Sequence, residues 1–188
     1  MRNARENILQ TASQLFYQHG IRAVGIDTII AESGVAKMTL YRHFPSKDDL
    51  MVAFLQRTHE IMMNWMQEQE APFEGRPREK LQAIFEGAQK LTSNVHCLGC
   101  AFLNAASEFH EPGHPAHQQA IRHKEILLEH FQQLATEANL QRPEVLAAHL
   151  LLLLDGAWAA ARMFGPENHA AHVAEAARTL IAAHATSD

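Results

Sequence analysis

The 188-residue sequence has almost no strand signature: no convincing run of alternating β-branched residues occurs in it, which argues against a sheet-based architecture. Long hydrophobic runs are also missing. The longest apolar stretch, Leu150 to Leu154 with the alanines after Gly156, is interrupted by Asp155 and Arg162 and falls short of a membrane span. The first twenty residues interleave Arg2, Arg5 and Glu6 with polar residues, unlike a secretion signal, so the expected location is the cytoplasm. Repeats and low-complexity tracts are absent. So are a phosphate-binding loop, a nucleophile elbow and paired catalytic carboxylates, which argues against an enzyme and against a bound cofactor.

Cysteine is scarce. The two present form Cys97-x-x-Cys100, preceded by His96 and followed by His110, His114 and His117. One such pair, with histidines at a spacing that matches no standard zinc finger, does not define a metal site. Cys100 shares an apolar helical face with Leu103 and reads as a small hydrophobe. The alternative is a thiol- or metal-responsive centre at Cys97/Cys100, in which the two sulfurs sense redox or join imidazoles around zinc or nickel. The thirteen histidines scatter over several faces, and His59-Glu60 lacks the second histidine of a metalloprotease helix.

What is present is helical periodicity. Segments 4–19, 26–33, 37–44, 47–69, 78–94, 98–109, 115–139, 143–164 and 167–184 each carry an apolar stripe, separated by glycine and proline breaks. The fold class is therefore all-α, with about nine helices: an N-terminal three-helix domain over residues 1–46 and a helical bundle over 47–188, joined by the long helix 47–69. Ser46 caps that helix, and Asp48 and Asp49 stand in its first turn, where the helix dipole favours anions. The net charge of −5 hides an asymmetry. Residues 1–50 hold six Lys/Arg against five Asp/Glu, and the remainder holds ten against sixteen. A slightly basic head on an acidic body suits a reader of DNA with few, local contacts.

The head contains two short helices joined by Gly34-Val35-Ala36, with Gly34 at the turn and Val35 plugging the angle. Leu40 and Phe44 face the core with Ile29 and Leu15, which leaves Lys37, Met38, Thr39, Tyr41, Arg42 and His43 outside. Such a cationic, hydroxyl-bearing and aromatic face suits phosphates and base edges in a major groove. The string Gly34-Val-Ala-Lys-Met-Thr-Leu-Tyr-Arg-His-Phe-Pro-Ser-Lys-Asp-Asp-Leu50 resembles the signature of the TetR family of transcriptional regulators, a likeness that covers roughly residues 5 to 54. The resemblance implies that Lys37, Met38 and Thr39 approach bases. It implies that Tyr41, His43 and Lys47 hold phosphates, and that Gly25, Thr28 and Arg42 belong to the same interface. Three positions depart from the family pattern. Gly25 replaces a capping Thr or Ser, so that backbone amides alone can meet the phosphate. Ile30 replaces a common Ala, and Met38 a small residue, which gives it an apolar role such as contact with a thymine methyl.

The resemblance further implies a homodimer on a palindromic DNA operator, since one such module reads only a few base pairs. The expected function is a repressor, cytoplasmic and associated with the nucleoid, that a small apolar effector releases. The last two helices are the expected dimer surface, with Leu150, Leu151, Leu154, Trp158, Val173, Ala177 and Leu180 at helical spacing. Met62, Met66, Phe85, Phe102, Phe109, Phe131 and Trp158 are the expected lining of the effector pocket, with Asn104, Ser107, Glu108 and His110 as its polar groups.

Overall fold

The computed structural model describes residues 4–185, and these form nine α-helices and no strand. In chain order they are α1 (Ala4–His19), α2 (Ile26–Ser33), α3 (Lys37–His43), α4 (Lys47–Glu70), α5 (Pro77–Thr92), α6 (Ala101–Glu108), α7 (Pro115–Glu137), α8 (Pro143–Phe164) and α9 (Val173–Ala183). Short 3-10 turns at Ala71–Phe73 and His169–His172 lead out of α4 and into α9. Three of the helices begin on a proline, where the missing N–H has no intrahelical partner to lose.

Two compact units divide the chain. One takes in the residues up to Glu60 together with Ala101–Ile121; the other takes in Ile61–Cys100 and the residues from Arg122 onward. Compactness therefore groups α6 with the N-terminal helices and shares α4 between the units, whereas the sequence reading divided the chain at residue 46.

In the first unit, α1 buries Ile8, Leu9, Ala12 and Phe16, the spacing of one helical face. Ile29 and Leu40 are fully buried, as are Leu50 and Leu55 of α4. Phe16 meets Phe54 edge-on, with ring centroids 5.6 Å apart. Leu15, expected in this core, is only half-buried.

In the second unit, Met66, Leu81, Phe85, Leu127, Phe131, Leu150, Trp158, Val173 and Ile181 belong to one continuous core. Each such side chain contributes about 1.5–3 kcal/mol by leaving water. The helix expected from residue 98 begins only at Ala101. Gly99 has φ +85°, and a Cβ on it would sit 2.9 Å from the Arg162 Cβ and 3.2 Å from the Trp158 carbonyl oxygen. The 97–100 loop thus lies directly on the backbone of α8, a close approach that helical geometry with a side chain would forbid. The last helix is shorter than the expected 167–184. Asn168 caps a 3-10 turn through the Ala170 N–H, and its amide donates to the Thr92 and Gly165 carbonyls.

Helix α8 is long and apolar enough to cross a membrane by length and composition, contrary to the reading that Asp155 and Arg162 interrupt it. One side of it instead builds the core of the second unit. Leu150, Leu154, Trp158, Val173 and Ala177, expected at a subunit interface, are no more than 6% exposed and pack within their own chain. Leu151 and Leu180 are half-buried against the same core. The outward face of α8 is a different row: His149, Leu152, Gly156, Ala159 and Met163. Periodicity reveals a stripe, but on a helix that is apolar all round it does not say which side faces inward.

Candidate nucleic-acid interface

The candidate surface is built from α2, α3 and the start of α4. Gly34 closes α2 in the left-handed region (φ +66°), its N–H bonded to the Ile30 carbonyl, and Val35 is half-buried in the angle beyond it. This sharp turn lets Leu40 on α3 and Ile29 on α2 reach complete burial. The rest of α3 is forced outward. Met38 is 80% exposed, a large apolar side chain left open to solvent. Met38, Thr39, Tyr41 and Arg42 line one open groove. Lys37 stands at the head of α3 and pairs across the exposed surface with Asp27 at 3.5 Å.

Gly25 is the N-cap of α2 in extended geometry, with no side chain bonded to the first-turn amides. A Cβ there would make only ordinary contact with Thr28 Oγ1 at 3.9 Å, so the glycine is not sterically required. The amides at the head of α2, with Thr28 exposed beside them, are positioned to receive an anion along the helix dipole.

Two expected contacts are placed differently from the rest. His43 is half-buried and lines a separate cleft with Arg5, Phe44, Asp48 and Asp49, away from the Met38 groove. Lys47 is turned back toward the first interhelix turn, where its Nζ donates to the Arg22 carbonyl at 3.4 Å. Burial draws the Lys47 pKa below its ordinary value, opposed by the charges of Glu108 and Asp48.

Glu108 was expected among polar pocket groups. Its carboxylate instead caps the turn between α1 and α2, accepting from the Ile21 and Arg22 N–H groups at 3.0 and 2.6 Å. No local signal marks this contact, whose partners are 87 and 86 residues apart. Of the expected pocket residues, Met66, Phe85, Phe131 and Trp158 are buried together in the second unit, with Met62 packed against them. Phe102 and Phe109 belong to the first unit. Phe109 stacks on His114 and carries the Arg22 guanidinium 4.9 Å above its ring centroid.

Cys97 and Cys100 are free, half-buried thiols against the core of the second unit. Lys124 donates to Cys100 Sγ at 3.7 Å and pairs with Asp155. Among the described residues no group of three or more His, Cys, Asp or Glu is arranged to hold a metal ion.

Comparison with known proteins agrees with this geometry. Residues 8–54 match the profile described as bacterial regulatory proteins, tetR family. Over 97% of its length the chain superposes on 96% of a TetR-family transcriptional regulator from Streptomyces coelicolor, with a TM-score of 0.91 and 30% identity. The chain belongs to the TetR family of transcriptional regulators. It is thus a regulator with a DNA-binding helix-turn-helix, and not an enzyme. It is also similar to the HTH-type transcriptional regulator YjdC of Escherichia coli K12, at 24% identity over 81% of this chain and 80% of that protein. Its N-terminal part resembles the HTH-type transcriptional activator FasR of Mycolicibacterium smegmatis, at 45% identity over 28% of this chain and 24% of that one. In this TetR-family chain the matched segment contains α2 and α3, and the Met38 groove is the outer face of α3.

Proposed function

We propose that this TetR-family chain is a homodimeric repressor that reads a palindromic operator and is released from it by a small apolar effector. The observation that carries the reading is the open groove lined by Met38, Thr39, Tyr41 and Arg42, with Met38 80% exposed, on a helix whose other side is anchored by the fully buried Leu40. Thr39 and Arg42 supply hydrogen bonds to base edges or phosphates, and Met38 supplies apolar contact that discriminates a thymine methyl. Lys37 approaches the bases with Met38 and Thr39, while Tyr41, Lys47 and the Gly25 amides hold the phosphates, with Thr28 beside them. Reaching a phosphate requires Lys47 to leave the Arg22 carbonyl. Acting on an operator places the protein in the cytoplasm, at the nucleoid.

Two recognition helices need a twofold partner, and the outward row of α8 supports one. Positions 149, 152, 156, 159 and 163 repeat at alternating spacings of three and four, with Gly156 and Ala159 allowing close approach and Leu152 and Met163 beside them. Leu152 is 70% and Met163 74% exposed in the single chain, which a second copy of α8 would cover.

The effector reading draws on the core that contains Met66, Phe85, Phe131 and Trp158, with Met62 at its margin. Such a packed cluster admits a ligand only by opening, so the ligand must prefer a loosened state. A preference of about 3 kcal/mol weakens operator binding by roughly 150-fold at most. Activation in place of repression depends on where the operator lies.

The test is fluorescence anisotropy with duplexes from the region upstream of the gene. The wild-type dimer is expected to prefer a palindromic duplex over a scrambled one, and Tyr41→Ala with Lys47→Ala to abolish that binding. Unchanged affinity in the double variant contradicts the reading.

A further inference from the structure

We propose that Glu108 is a positioning residue for DNA binding: by holding the backbone of the α1–α2 turn, it fixes the angle at which the helix-turn-helix is presented. This rests on the DNA-reader function above.

The turn has few means of holding itself. Helix α1 has ended, α2 has not begun, and the Ile21 and Arg22 amides have no helical acceptor. The Glu108 carboxylate, at the last residue of α6, places one oxygen on each of these consecutive N–H groups. Charge-assisted bonds of this kind are about twice as strong as neutral ones. The preceding residue makes room for it, because a Cβ on Gly20 would stand 3.1 Å from Glu108 Oε1.

The grip extends to neighbouring groups. Phe109 lies under the Arg22 guanidinium, and His114 stacks on Phe109 with centroids 4.2 Å apart. His117 Nδ1 lies 2.8 Å from the Phe109 carbonyl oxygen, so the ring that supports Arg22 is held in turn. In the free chain Lys47 of α4 also donates to the Arg22 carbonyl, a bond it gives up on reaching a phosphate. The side chain, N–H and carbonyl of Arg22 are therefore each taken by a different group.

The consequence follows from position. Arg22 is three residues before Gly25, the N-cap of α2, so a shift of the turn moves the α2 amides and the groove of α3 together. Glu108 itself lines neither. Helix α6 begins at Ala101, where the chain passes from one compact unit into the other, and Glu108 is at its far end. Displacement of α6 along its axis would draw the carboxylate off the two amides.

The test uses full-length protein carrying Glu108→Ala or Glu108→Gln. Hydrogen exchange is read at Ile21 and Arg22, and operator affinity is measured by anisotropy over a range of salt concentrations. For Glu108→Ala we expect faster exchange at both amides and affinity lower by about tenfold, with the salt slope unchanged because no phosphate contact is lost. Lys47→Ala is expected instead to reduce the slope by about one. Glu108→Gln, which keeps a single acceptor oxygen, should fall between wild type and alanine, and it carries the test if the alanine protein does not fold. Affinity within about twofold of wild type, or a salt slope changed as by Lys47→Ala, overturns the proposal. Wild-type protein without preference for any duplex sinks the DNA-reader function itself, whereas wild-type binding that ignores Glu108→Ala sinks only this inference.

Discussion

Ser46 and Asp49 cap one another at the start of α4. The Ser46 N–H and hydroxyl both donate to Asp49 Oδ2, at 3.0 and 2.6 Å, and the Asp49 N–H donates to Ser46 Oγ at 3.1 Å. This reciprocal arrangement satisfies amides that the helix leaves without partners. It also stands between α3 and Lys47. Ser46→Ala is expected to lower stability by about 1 kcal/mol in urea unfolding. Operator affinity should fall further than that loss accounts for, because the head of α4 loses its fixed start.

Gly99 and Gly156 are expected to respond in opposite ways. Alanine at Gly99 is strained by φ +85° and collides with the backbone of α8, so Gly99→Ala should destabilise by roughly 1–3 kcal/mol. A Cβ at Gly156 meets nothing within 4 Å of it in the single chain. Gly156→Ala should therefore stabilise the isolated fold by up to about 1 kcal/mol through helix propensity. Thermal unfolding at protein concentrations low enough to favour monomer distinguishes the two.

The two sides of α8 give a second contrast. Leu152→Glu places a charge on the outward row and is expected to leave helical content intact while halving the mass seen by light scattering. Leu150→Ala removes a fully buried side chain and should cost about 2–5 kcal/mol of stability. If Leu152→Glu remains a dimer, the partner surface lies elsewhere.

Lys124 and Asp155 form a half-buried pair whose side chains are 18% and 24% exposed. Removing one partner strands the other, so Lys124→Met is expected to destabilise by roughly 1–3 kcal/mol. Lys124→Met with Asp155→Leu should recover most of that loss, since an apolar pair of similar size avoids the desolvation penalty. Urea midpoints of the two proteins give the comparison directly.

How much of this was legible in the sequence depends on how local each feature is. The helix-turn-helix was, because Gly34, Val35, Leu40 and the Pro45-Ser46 stop act within a few residues of one another. The exposure of Met38, Tyr41 and Arg42 followed from which positions of α3 the core takes. The role of Glu108 was not legible, since its partners at Ile21 and Arg22 come from a distant part of the chain. The start of α6 was misplaced because the 97–100 loop answers to the backbone of α8 rather than to its own propensity. The two rows of α8 are both apolar at helical spacing, so only packing separates the buried Leu150 from the exposed Leu152.

The most direct test of the central claim is the affinity of purified wild-type protein for a palindromic duplex from its upstream region, titrated against scrambled DNA at several salt concentrations. The account predicts a dimer that prefers the palindrome, with affinity falling steeply as salt rises and lost on combining Tyr41→Ala with Lys47→Ala. A monomer that binds both duplexes equally, or not at all at modest ionic strength, would contradict it.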